Sequence, residues 1–287
     1  MQGKSYKTGI TGLLLACCLL AACGTEEDSG RGRIADAVPT EAEEQPEEQQ
    51  EDHPEAAETK RELSEEEIAQ LAAECSFNVH WYAQDGDFAA GTAFLMDSDI
   101  FGEKILVTAF HYLWPDDADS FTGEELPGYL LGGDIYYAQS GADTGADLKA
   151  CLVIKDADAV PNIDKDVAAF TVSGGENLRT LKISDRDSIE KGEPLYILAY
   201  LWDTDDMHEN CVYECEAVYM KNGELAFRID PKYGLMGASG GPIVDRYGEV
   251  VAIVMASDAR YSYGHSADSF MKQINGATIS DIVYEQQ

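Results

Sequence analysis

The alternation of apolar and polar residues divides this 287-residue chain into three stretches. The first is GLLLACCLLAA, residues 12–22, a run without a polar side chain. Residues 24–62 follow, rich in Glu, Gln and Pro and almost without large apolar side chains, so they cannot bury enough surface to offset the entropy of ordering. The third stretch opens on Ser64-Glu65-Glu66-Glu67, a capping-box pattern, with Ile68, Leu71, Ala72 and Cys75 at helical spacing behind it. This predicts one helix over 65–75.

After Cys75 the period changes to short β-like runs bounded by turn residues. Candidate strands are 76–83, 91–97, 104–110, 147–155 and 166–172, then 194–202, 211–220, 224–230, 241–245 and 249–257. Asn222-Gly223 and Arg246-Tyr247-Gly248 read as hairpin turns between paired runs. Only 270–274 and 279–284 look helical again. Ten short strands with this punctuation predict an all-β sandwich, barrel or pair of barrels. The polar segment 174–193, with isolated Leu181 and Ile183, separates the strands into two groups and favours two small barrels, about 76–180 and 185–275, within a 64–287 domain.

Charge sharpens this division. The net charge of −34 comprises +2 over residues 1–23, −13 over 24–67 and −23 over the remaining 220 residues. Such a surface repels phosphate backbones and anionic headgroups, which argues against nucleic acid and electrostatic membrane docking. The apolar run near the start is too short for a membrane-spanning helix, which needs about 20 residues. With Lys4 and Lys7 ahead of it, residues 1–22 read as an export signal. LAAC (20–23) resembles the lipobox of bacterial lipoproteins, which implies lipidation of Cys23 and an extracytoplasmic, membrane-anchored protein; an ordinary secretory signal cut near Ala22 is the alternative. Residues 23–63 then form an acidic tether, spanning roughly 35 Å as a neutral coil and more when extended by charge.

The sharpest chemical signal is GLMGASGGPIVD (234–245), where glycines flank Ser239 just ahead of a β-run. Glycines let the backbone turn tightly, so that a serine hydroxyl can project with amide groups converging beside it. VTAFHYL (107–113) places His111 at the end of an apolar run, whereas His53, His80 and His208 have no supporting pattern. Asp166, in DKDVAAFTV (164–172), starts a buried-looking strand and can accept from an imidazole; Asp164 is its competitor.

TAFHYL, DVAAF and GASGGPIVD, in the order His, Asp, Ser, resemble the signature blocks of the chymotrypsin-like (trypsin-like) serine peptidases, over about residues 76–275. The resemblance implies two packed six-stranded antiparallel barrels with short terminal helices. It implies His111, Asp166 and Ser239 as the catalytic triad, and the N–H groups of Gly237 and Ser239 as the oxyanion hole. Phe110 and Tyr112 depart from the Ala and Cys that often flank the family's histidine, and Phe110 is expected in the core, on the strand. Tyr233 stands where trypsin-like members carry an acid, so nothing supports a Lys/Arg preference. Met255, Ala256 and Ser257 resemble the substrate-pairing strand, and Gly264 with His265 the opposite wall. His265 is a candidate receiver of an acidic side chain, its alternative being a surface loop residue.

Cys75, Cys151, Cys211 and Cys215 remain after processing and allow three pairings. On one strand Cys211 and Cys215 would stand about 13 Å apart, out of bonding reach. Free buried thiols remain open, and neither a metal nor a cofactor is called for. The reading is a lipid-anchored serine endopeptidase acting on polypeptides, whose triad needs no inserted N-terminus; the alternative is a silent binding or regulatory module on the same fold. A solute-binding lipoprotein would leave the three blocks unexplained.

Overall fold

A computed structural model describes residues 60–115, 118–158, 163–202 and 211–284. The expected signal peptide, Cys23, most of the tether, His53 and His208 lie outside the described residues. Residues from Lys60 onward belong to one compact unit.

Helix α1 (Glu65–Cys75) starts as its capping box dictates: Ser64 accepts from the Glu67 N–H, and the Glu67 carboxylate accepts from the Ser64 N–H. Ile68, Leu71, Ala72 and Cys75 are its buried face. The first barrel is built from β1 (Ser76–Ala83), β3 (Ala93–Ser98), β4 (Glu103–Thr108), β5 (Leu130–Tyr137), β6 (Asp143–Val153) and β7 (Ala168–Ser173). Their antiparallel order is β6-β5-β1-β3-β4-β7, and the β6–β7 pairing closes the ring. Short β2 (Phe88–Ala89) pairs with β1 outside it, and α2 (Leu126–Tyr129) leads into β5.

The second barrel closes in the order β10-β13-β12-β11-β8-β9. Its strands are β8 (Pro194–Leu198), β9 (Val212–Lys221), β10 (Glu224–Ile229), β11 (Pro242–Val244), β12 (Val250–Ser257) and β13 (Ser262–Ser266). Two six-stranded antiparallel barrels are the expected fold. Asn222 (φ 53°) and Gly223 (φ 80°) make the two-residue hairpin that pairs Lys221 with Glu224. Between the barrels Leu181 is buried with its N–H on the Leu95 carbonyl, while Ile183 bridges to Val250. The two apolar residues of that polar linker thus dock on opposite barrels.

Three differences from the sequence pattern have physical causes. Residues 279–284, expected as helix, lie instead largely in β14 (Thr278–Val283), an added strand on β6 beyond α3 (Ala267–Asn275). Ile279, Ile282 and Val283 are spaced like a helix face but are exposed on this added strand, and their β-branched side chains suit the pleat. β5 escapes the pattern because Gly132 and Gly133 interrupt it; Gly133 is held close, since a Cβ there would stand 3.0 Å from the His80 carbonyl oxygen. β13 escapes because SYGHS is polar, although Gly264, His265 and Ser266 are buried.

Candidate active site

The site is assembled where loops of the two barrels meet. After β4 the chain makes a single 3-10 turn, Phe110–Leu113. Phe110 therefore sits on this turn, not on the expected strand, but it is fully buried as expected and stacks on Phe121 at 5.8 Å. Phe110 and Leu113 anchor the turn inward, which leaves His111 and Tyr112 half-buried on its other side.

β4 and β7 pair Thr108 with Ala168, so the residue three after one partner meets the residue two before the other. The Asp166 carboxylate, 4% exposed, accepts from the His111 backbone N–H at 2.9 Å and from Nδ1 at 2.6 Å. Asp164, two residues earlier in a 3-10 turn, is exposed. With Nδ1–H donating to the carboxylate, Nε2 is the basic nitrogen of the neutral ring. Burial works against the imidazolium, but the charge of Asp166 and its hydrogen bond outweigh it and raise the His111 pKa above the ordinary 6.5.

Ser239 sits on a loop whose backbone only glycine adopts freely. Gly237 has φ +93° and Gly240 φ +79°. A Cβ on Gly240 would stand 2.4 Å from both the Thr108 Oγ1 and the Thr92 carbonyl oxygen, so the loop presses directly on the first barrel. Thr92 holds it there: its N–H donates to the Ser239 carbonyl (3.0 Å) and its hydroxyl to the Gly237 carbonyl (2.9 Å). The Ser239 hydroxyl donates to the Met255 carbonyl at 3.2 Å. Tyr112 lies between the halves: its ring stands 4.5 Å from that of His111, and its Cδ2 and Cε2 lie 2.4 Å from where a Cβ on Gly91 would be, a point 3.2 Å from the Ser239 carbonyl oxygen.

The remaining candidates divide. Met255 adjoins Ser239, and Ala256 and Ser257 continue β12 as exposed residues. Gly264 is buried on β13 opposite Val254. Tyr233 packs edge-on against Tyr213 at 5.0 Å, on the second barrel's core. His265 is neither a loop residue nor at the surface: it is fully buried on β13, edge-on to Phe270, within reach of Gln273. Burial pushes its imidazole down to about 4 against the opposing charges of Asp166 and Asp164, leaving it neutral at pH 7. The four described cysteines are free and buried, and β9 holds Cys215 on an extended strand with Cys211 just before it.

Two residues that shape the site were given no role in it by the sequence reading. Tyr112 stood out there only as a departure beside the histidine. Thr92 carried no signal, because a threonine next to Gly91 looks like any strand start.

The family model for the trypsin-like peptidase domain matches residues 91–253, a span that contains His111, Asp166 and Ser239. The chain belongs to the trypsin-like peptidase family. As a member it is a serine endopeptidase, and its substrates are polypeptides. No curated protein sequence matches the chain. Among solved structures, the active form of the Rv3671c protease from M. tuberculosis is 16% identical with a TM-score of 0.47, over 74% of this chain and 85% of that one. Deg5 is 14% identical with a TM-score of 0.48, over 73% and 94%. At that identity and similarity the assignment rests on the family match.

Proposed function

We propose that this trypsin-like peptidase is a lipid-anchored extracytoplasmic endopeptidase that cleaves peptide bonds through Ser239, His111 and Asp166. The observation that carries the reading is the buried Asp166 carboxylate holding the His111 imidazole at 2.6 Å beside the glycine-built Ser239 loop. In this mechanism Ser239 Oγ adds to the scissile carbonyl carbon while His111 Nε2 takes its proton. The oxygen that gains charge is received by the N–H groups of Gly237 and Ser239. The imidazolium, stabilised by Asp166, then protonates the departing amine as the C–N bond breaks, leaving an acyl ester on Ser239. Water attacks this ester, His111 again takes the proton, and the acid leaves with Oγ reprotonated. A groove of about 510 Å³ is lined in part by Ala89, Gly91, Tyr200 and Trp202, the last two of which press on Gly237 of the Ser239 loop.

A fluorophosphonate probe tests the chemistry, since Oγ displaces fluoride from phosphorus as it gives up its proton. Labelling of the folded protein that Ser239→Ala abolishes is expected. A folded wild type that stays unlabelled after prolonged incubation favours the silent module. For the anchor, Cys23→Ala is expected to move the protein out of the membrane fraction, and unchanged retention counts against lipidation.

A further inference from the structure

We infer that Gln273, steadied by His265, is a positioning residue for Asp166: from the second barrel it fixes the turn that delivers the acid of the triad. This role rests on the proposed triad and goes beyond it, since neither residue touches a reacting atom.

First, the turn is braced from the second barrel. Asp166 precedes β7, whose pairing with β4 starts only at Ala168. Its own backbone bonds are local: the Asp166 N–H donates to the Ile163 carbonyl at 3.4 Å, and the Val167 N–H to that of Lys165 at 3.0 Å. Gln273 Nε2, on α3, donates to the Asp164 carbonyl. Because a peptide group is planar, this bond sets the whole 164–165 peptide, one residue before Asp166. Gly223 presses on the same residue: a Cβ there would stand 3.1 Å from the Asp164 Cβ. The Gly223 carbonyl in turn accepts from the Ser266 N–H at 2.8 Å, just ahead of α3.

Second, Gln273 is itself aimed. His265 is fully buried on β13, opposite Ile253 of β12, which packs in one cluster with Phe170 of the first barrel. Cross-strand partners share a face, so the imidazole faces the first barrel as well. Its Nε2 lies 3.4 Å from Gln273 Nε2. A carboxamide nitrogen carries two hydrogens. One goes to the Asp164 carbonyl, and the other meets the Nε2 lone pair, which leaves the His265 proton on Nδ1. Burial keeps this imidazole neutral, as the arrangement requires. Turning the carboxamide over would set Oε1 against the Asp164 carbonyl oxygen, so one orientation is selected.

Third, the pair is a poor piece of core. Gln273 Oε1 and His265 Nδ1 are both buried with no hydrogen-bond partner among the described residues. Each such atom is destabilising, and apolar side chains of similar volume would remove both. What the polar pair supplies is a donor at Asp164, beside the acid of the triad. Local rules broken in this way belong to functional sites.

The charge pair is made within the first barrel; the brace acts on the backbone that presents Asp166 to it. A carboxylate shifted by a fraction of an ångström holds His111 Nδ1 less well. The imidazolium then loses stabilisation, and the raised His111 pKa relaxes toward 6.5.

The test compares the full-length wild type with Gln273→Met, His265→Leu and the double variant. Melting temperatures near or above that of wild type are expected, because orphaned polar atoms are removed. On a peptide substrate, kcat is expected to fall about tenfold in Gln273→Met with KM unchanged, and less in His265→Leu. The double variant should lose no more than Gln273→Met, since both residues act through one hydrogen bond. NMR titration of the His111 imidazole should show its pKa falling in the same order. Unchanged kcat and His111 titration in folded Gln273→Met overturn the inference, and a lower melting temperature alone would mark a packing role. Losses that multiply in the double variant overturn the part given to His265. If wild type cleaves no peptide, the triad reading fails instead, and an unchanged His111 titration then overturns the brace independently.

Discussion

The two halves of the site are held in shape by opposite means. The His111–Asp166 half lies within the first barrel, where the pairing of β4 with β7 brings the residues together and two charge-assisted hydrogen bonds fix them. The Ser239 half has no charged group of its own. Its shape comes from left-handed glycines and from Thr92, which reaches across from the first barrel to the Gly237 and Ser239 carbonyls. One half is an electrostatic device with its partner supplied locally; the other is a backbone conformation held from outside. Substitutions should therefore hurt them differently, through chemistry in the first and through folding in the second.

The largest effect is expected from Asp166→Asn. It preserves shape but removes the charge that orients and stabilises the imidazolium, so kcat should fall by about 10⁴ with little change in KM. Steady-state kinetics on a peptide substrate reads this directly, and a loss under tenfold would remove Asp166 from the mechanism. The pH profile sharpens the point. Because the base works as neutral imidazole and its pKa is raised, the acidic limb of kcat/KM should lie above pH 6.5 in wild type and move down in Asp166→Asn. Stability runs the other way. A histidine whose folded pKa is raised contributes stability fully present below about pH 6.5, its unfolded value, and loses it as pH rises through the folded value. The pair is thus strongest where the enzyme is least active.

Gly240→Ala probes the other half. The substitution places a Cβ in a left-handed conformation, worth roughly 1–2 kcal/mol, and against two oxygens 2.4 Å away, adding on the order of 1–3 kcal/mol of overpacking. A clear drop in melting temperature is expected, together with loss of labelling. Unchanged stability would mean that the loop is not wedged against Thr92 and Thr108.

The same contrast explains what was readable in the sequence. Ser239 and its glycines announce themselves because a strained turn needs glycine, whatever surrounds it. His111 and Asp166 were readable because each sits at the end of an apolar strand run. The capping box gave the start of α1 for a similar reason: its chemistry is local. Thr92, Tyr112 and the burial of His265 depend on contacts between residues far apart in the chain. Thr92 reaches the Gly237 carbonyl across 145 positions, and no local period encodes that. β5 and β13 were missed on the same ground, since glycine and polar residues in a strand are tolerated only by the neighbours that the closed barrel supplies.

The smallest of these effects, expected from Thr92→Val, bears most directly on the contrast. Valine keeps the volume of a residue that is 1% exposed but removes the hydroxyl. That hydroxyl donates to the Gly237 carbonyl at 2.9 Å and accepts from the Tyr200 N–H at 3.2 Å. Losing it takes this hydroxyl away from the buried Gly237 carbonyl and from the part-buried Tyr200 N–H, an expected loss of about 1–3 kcal/mol in denaturant unfolding. The backbone link to the loop survives, because the Thr92 N–H still donates to the Ser239 carbonyl and its carbonyl still accepts from Thr108. If the Ser239 loop is shaped from outside, labelling should slow in this variant while the acidic limb set by His111 stays in place. If instead the limb shifts and labelling does not, the two halves are coupled through Thr92 and the division between them is wrong.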